Sequence, residues 1–147
     1  MKILFFILFV ISFSSLASNK GYGNIAQSSE VDECIKKFKS ENIECLDDIV
    51  SQSENMLHDV FERKLEEIAK INPERWWMGN EQQKKIMLEN LKINQKEWID
   101  YRNNYCGVAL SKYQNLDSLG EAQASCELKM NKRRVEEINM IDAQPDE

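Results

Sequence analysis

Cys34, Cys45, Cys106, Cys126 and the single histidine, His58, carry the most reactive side chains in the sequence. A thiolate can act as a nucleophile or a metal ligand, and two thiols can oxidise to a disulfide. Nucleophilic use needs a base within hydrogen-bond reach, and His58 is the only imidazole available. Zinc sites use closely spaced Cys and His ligands, yet the chain has no C-x-x-C and no second histidine. An even set of cysteines without such spacing is what an oxidising compartment converts to bridges, so two disulfides are expected and no metal. His58 lies on a long helix beside the Leu57 stripe position and is expected at the edge of the core or on the surface rather than as a base. The pairs Glu66-Glu67 and Glu136-Glu137 are helix neighbours about 100° apart and do not form a glycosidase dyad. Lys132-Arg133-Arg134 is followed by the same Glu136-Glu137 and makes a poor anion site. There is no G-x-S-x-G, H-E-x-x-H, P-loop or G-x-G-x-x-G. No catalysis and no cofactor are expected.

The start of the chain is of a different kind. Met1-Lys2, an apolar run over residues 3–11 and a serine-rich stretch through Ser18 have the three parts of a secretory leader. Ser15 and Ala17 place the cut after Ala17. A spanning helix needs roughly 20 apolar residues, and this run breaks into serines sooner, so no membrane span is expected after cleavage. No cysteine follows closely enough for a lipid anchor. The expected organisation is a signal peptide at 1–17, a flexible lead-in at 18–30, one helical domain at 31–142 and a polar tail at 143–147. Lys and Arg number 19 against 25 Asp and Glu, a net charge of −6. That balance excludes a basic nucleic-acid footprint and would steer a basic partner towards the protein.

Helical periodicity accounts for the rest. Residues 31–39 form a short amphipathic piece with Val31, Ile35 and Phe38 on one side. Asn42 is the expected N-cap of the next helix. Leu46, Val50, Ser53, Leu57, Val60 or Phe61, Leu65, Ile68 and Ile71 recur at steps of three and four, one apolar stripe of a long helix. Asn72-Pro73 ends it, and Pro73 is suited to open a helical turn. Asn80 and Gln83 suggest the cap of a second long helix carrying Met87, Leu91, Trp98, Tyr101 or Arg102, and Tyr105, with Gly107 near its end. Residues 111–117 read as a loop. Ser118 and Glu121 stand at capping-box spacing, starting a last helix near Leu119. The fold class is therefore an all-α, disulfide-stapled bundle of two long helices, a short N-terminal helix and a C-terminal helix.

Geometry limits the bridges without fixing them. On one straight helix Cys34 and Cys45 would lie ~16 Å apart, whereas a disulfide needs Cα atoms within roughly 7 Å. A Cys34–Cys45 bridge therefore demands a reversal near residues 40–42. A Cys106–Cys126 bridge would pin the start of the last helix to the end of the one before. Four cysteines allow three pairings, and all three remain open on spacing.

Leu91, Gln95, Trp98, Tyr101, Arg102 and Cys106 follow the order L-x3-Q-x2-W-x2-Y-R-x3-C; Cys126, Met130, Asn131, Arg134 and Ile138 come after. Together with Cys34, Cys45 and Leu46-Asp47, this resembles the LprI-type lysozyme-inhibitor family, from about residue 34 to 138. The resemblance implies a helical domain of the bacterial envelope, periplasmic or secreted, with Cys34–Cys45 and Cys106–Cys126 bridges. It also implies a protein that binds and inhibits lysozyme. Two departures stand out: residues 111–117 lack the glycine-rich stretch frequent in the family, and the 72–80 connection looks particular to this chain.

The residues themselves support scaffold roles for the motif. Gln95, Trp98, Arg102 and Cys106 share one helix face, with the guanidinium placed to stack on Trp98 and to bond loop carbonyls near the disulfide. Arg134 has the same reading. Contact with a partner is expected from Arg75, Trp76, Trp77 and Met78, since adjacent loop tryptophans do not both bury easily in a small core and interface hot spots favour Trp, Tyr and Arg. Tyr113 is a second candidate. The partner expected is a basic peptidoglycan hydrolase, blocked sterically. The alternatives are a toxin delivered by a competing cell, with this chain as immunity protein, or an envelope assembly role without an enzyme target.

Overall fold

The computed structural model describes residues 23–75, 79–113 and 115–143; of Arg75 only the backbone is described. Four α-helices are present among them, α1 (Ser29–Phe38), α2 (Ile43–Lys70), α3 (Glu81–Ala109) and α4 (Leu116–Asn139), with short 3-10 turns at Lys39–Glu41 and Pro73–Arg75. No strand occurs among the described residues. The all-helical fold class and both local bridges are as expected.

The Ser28 hydroxyl opens α1 by accepting from the Val31 amide at 3.2 Å, satisfying one of the free donors of the first turn. In that turn, backbone hydrogen bonding holds the Glu30 carboxyl below its ordinary value; desolvation opposes this, and the Ser29 and Ser28 hydroxyls and Lys132 assist. The lead-in expected at 18–30 is shorter than its composition suggested. Asn24 folds a turn by accepting from the Ala26 amide at 3.1 Å, Ala26 is buried, and Lys129 Nζ donates to the Asn24 carbonyl at 2.7 Å. A single turn has no periodicity to betray it, and Asx turns are made by polar residues.

The chain reverses after Phe38. Lys39 carries φ 54° and ψ −122°, a conformation costly for any residue with a Cβ, and its amide still bonds the Ile35 carbonyl. The reversal brings Cys34 and Cys45 to a Cα separation of 5.8 Å, and they are bridged. Asn42 stands at the expected N-cap position of α2 but does not cap with its side chain. It is buried, and its Nδ2 donates to Glu121 Oε1 of α4 at 2.8 Å, so a long-range partner replaces the local one.

The α2 stripe is realised: Leu46, Leu57, Val60, Phe61 and Ile68 are buried. Lys64 is buried among them; its Nζ pairs with the Glu67 carboxylate, which meets its charge, and donates to the Ile141 carbonyl at 2.9 Å at the end of its stem. After Pro73, Asn80 caps α3 by accepting from the Gln83 amide at 2.9 Å. Lys84 then reaches back to the α2 C-terminus, donating to the carbonyls of Ala69 and Ile71 at 3.3 and 3.4 Å, where cations favour the helix dipole.

α3 departs from its expected apolar side. Leu91 and Trp98 of that side pack against the core and Arg102, the alternative to Tyr101, is buried together with Gln95 and Cys106, whereas Met87, Tyr101 and Tyr105 are exposed. Gly107 lies inside the helix, which continues to Ala109. α4 starts earlier than Leu119: Asn115 Oδ1 accepts from the amides of Asp117 and Ser118 at 2.9 and 3.2 Å. Both Asn115 and Ser118 are capping residues, and the Ser118–Glu121 spacing pointed to the inner one.

α4 packs on α1, α2 and α3 and threads three apolar clusters. Ala122, Cys126 and Met130 join Ala26, Cys106 and Leu110. Ala124 meets Val31, Cys34 and Leu46. Ile138 closes on Leu57, Val60 and Phe61. Trp98 of α3 packs against the first and the third.

Candidate functional site

Two features bring chemistry-bearing residues together: a polar layer around Trp98 and an apolar groove at the cross-linked end.

The layer lies where α3 crosses α4. Trp98 has two guanidinium carbons near its ring, Arg134 at 5.5 Å and Arg102 at 5.9 Å from the centroid. Both arginines are buried, and a buried guanidinium must have its donors met. Arg134 donates from Nε to Gln95 Oε1 at 2.8 Å, from Nη2 to Asn94 Oδ1 at 2.6 Å and from Nη1 to Glu137 Oε2 at 3.0 Å. Arg102 donates from Nη1 to Asn131 Oδ1 at 2.7 Å, shares Asn103 Oδ1 between Nε and Nη2 at 3.1 and 3.0 Å, and pairs with Glu54 at 3.1 Å. Asn131 Nδ2 completes the chain by donating to Ser53 Oγ of α2 at 3.2 Å.

Gln95, Trp98, Arg102 and Arg134 are thus brought together, as the shared helix face implied. Arg102 bonds side chains of α2, α3 and α4 rather than loop carbonyls, because the loop lies beyond the helix turn that carries Cys106. Tyr101 is outside the layer, 54% exposed and in ring contact with Tyr105 at 5.8 Å. Asn131 and Ser53 are members that side-chain reading gave no role. Ser53 had a signal: a hydroxyl in an otherwise apolar stripe needs a partner.

The second feature is at the end where α2 and α4 begin and α3 finishes. Cys106 and Cys126 are completely buried and bridged, with Cα atoms 5.9 Å apart. Tyr113 packs half-buried against that cluster, and the Lys112 ammonium lies 5.1 Å from its ring centroid. Beside it runs a groove of about 570 Å³, floored by Leu46 and Leu110 and walled by Ile43, Leu116 and Leu119. Leu116 is 83% exposed and Ile43 68%. Gly107 and Gly120 also line it, and a Cβ added at either meets nothing within 4 Å.

A smaller groove of about 420 Å³ between α2 and α3 is lined by Glu54, His58, Glu62, Lys92, Lys96 and Arg102, among others. Its charges are mixed, and His58 is exposed there as expected. No group of three or more His, Cys, Asp or Glu that would hold a metal occurs among the described residues. Among the same residues no helix is long and apolar enough to cross a membrane. The expected contact residues Trp76, Trp77 and Met78, and the Arg75 side chain, lie outside what is described, as do residues 1–17, expected as a signal peptide, and residues 144–147 of the expected tail.

A disulfide-bonded helical bundle whose α3 and α4 are joined through one Trp and two Arg defines the class. Residues 34–138 match the family described as Lysozyme inhibitor LprI, and the chain belongs to that family. The description is of inhibitors, not enzymes. No curated protein and no solved structure matches the chain.

Proposed function

We propose that this is an exported envelope protein, periplasmic or secreted, that inhibits a lysozyme-class peptidoglycan hydrolase by covering its substrate cleft. Membership of the LprI family over residues 34–138 carries the reading. Two disulfides in a single small bundle support an oxidising compartment, and the sequence supplies a leader with its cut after Ala17. The polar layer is saturated by its own partners, which suits a scaffold; binding then falls to the surface it holds rigid. A net charge of −6 favours encounter with a basic enzyme. Inhibition by cover requires no reaction and no cofactor, only a rigid surface that stays on the cleft.

The test is cell-wall lysis by a basic lysozyme in the presence of the purified, oxidised protein. Lysis slows as inhibitor approaches one equivalent. Undiminished lysis under a large excess would refute the reading.

A further inference from the structure

We infer that the groove at the cross-linked end is the face that docks the hydrolase, taking an apolar side chain that projects from a basic surface. This rests on the inhibitor reading above. Three observations support it.

The first is the apolar wall left in water. Ile43 and Leu116, both in the groove lining, stand 68% and 83% exposed. Single exposed aliphatics need no explanation, but convergent ones around a concavity mark contact sites.

The second is charge. The two segments that form the groove, 40–46 and 107–123, carry Glu41, Glu44, Asp117 and Glu121 against Lys112 alone. Asp117 lines the groove itself; Glu41, Glu44 and Asp117 are exposed. Lys39 adjoins the first segment and leaves the excess negative. An apolar centre with Asp117 in its wall and exposed Glu41 and Glu44 in the adjoining segment complements a basic surface with an apolar projection. The α2–α3 groove lacks this property, since Lys92, Lys96 and Arg102 face Glu54 and Glu62 across it.

The third is rigidity. Cys45 lies in the first turn of α2, Cys106 in the last turn of α3, and Cys126 two turns into α4 beyond Gly120. The Cys106–Cys126 bridge therefore ties the α3 and α4 walls to each other, and the Cys34–Cys45 bridge fixes the start of α2 to α1. A site ordered before contact loses little conformational entropy on binding.

The experiment measures Kd for a purified basic lysozyme by titration calorimetry, alongside the lysis assay, with thermal melts on every variant. Ile43→Ser with Leu116→Ser removes two exposed side chains, melts as the wild type does, and weakens binding about tenfold or more. Gly120→Leu fills the groove from a helical position with open space above it. It melts no lower than the wild type, because Leu favours helix over Gly, yet it also weakens binding. Glu44→Lys with Asp117→Lys lowers affinity and flattens its dependence on salt. Wild-type affinity in the Ile43/Leu116 and Gly120 variants overturns the groove and leaves inhibition standing. If Trp76→Ala with Trp77→Ala alone abolishes binding, the contact lies in the 72–80 connection and the proposal fails. Absence of binding by the wild type overturns both readings together.

Discussion

α4 is held by two interfaces made of opposite materials. Against α2 it closes with Ile138 on Leu57, Val60 and Phe61, side chains with no polar atom to satisfy. Against α3, around Trp98, it closes with Arg134, Asn131, Gln95 and Arg102 through directed hydrogen bonds and cations over a ring, apart from the apolar cluster at the Cys106–Cys126 link. The apolar interface is stabilised by area removed from water and tolerates any filling of the right volume. The polar one contributes little net energy beyond its desolvation cost, but it accepts only one register of α3 on α4. Moving Arg134 by one turn would strand Gln95 and Asn94. The first interface supplies stability, the second supplies specificity.

The contrast yields graded expectations. Phe61→Ala is the most damaging change, destabilising by about 3–5 kcal/mol, while Phe61→Leu recovers a large part of that; denaturant unfolding measures both. Removing the Cys106–Cys126 bridge as a double alanine variant costs about 3 kcal/mol, by the unfolded-chain entropy of a loop of this length. Asn131→Ala costs about 1–3 kcal/mol by leaving Arg102 Nη1 and Ser53 Oγ without a partner. Asn131→Leu, with the branching and heavy-atom count of the native side chain but without its polar atoms, does no better; recovery by leucine there would show that apolar filling rather than hydrogen bonding holds this interface. Ser125→Ala is the smallest, within about 0.5 kcal/mol of neutral and on the stabilising side. Its buried Oγ has no hydrogen-bond partner among the described residues, so the hydroxyl contributes nothing that its removal would lose.

The same contrast decided what could be read from the residues. α2 was legible because its buried positions are Leu, Val, Phe and Ile at steps of three and four, and hydropathy follows burial there. α3 was not, because Gln95 and Arg102 are buried and a hydropathy pattern assigns such side chains to water. Met87 and Tyr105 were drawn into its stripe for the complementary reason, being apolar or aromatic but exposed. The ordered motif around Trp98 supplied the missing face through family resemblance. Both bridges came from the same source, with the pattern break at 40–42 consistent with the first. The caps divided on local chemistry: Asn80 had one candidate and was right, whereas Asn115 lost to Ser118 three residues on. The groove was illegible. Ile43, Leu116 and Leu119 are unremarkable singly, and only the convergence of three helix ends makes them one surface.

Every sulfur link falls in the half of the bundle where α2 begins, and the α2–α3 connection at residues 71–80 has none. Opening under denaturant therefore starts at that far turn and travels towards the cysteines. Amide protons near Lys70 and Lys84 trade with solvent deuterium well before those flanking Cys106 and Cys126.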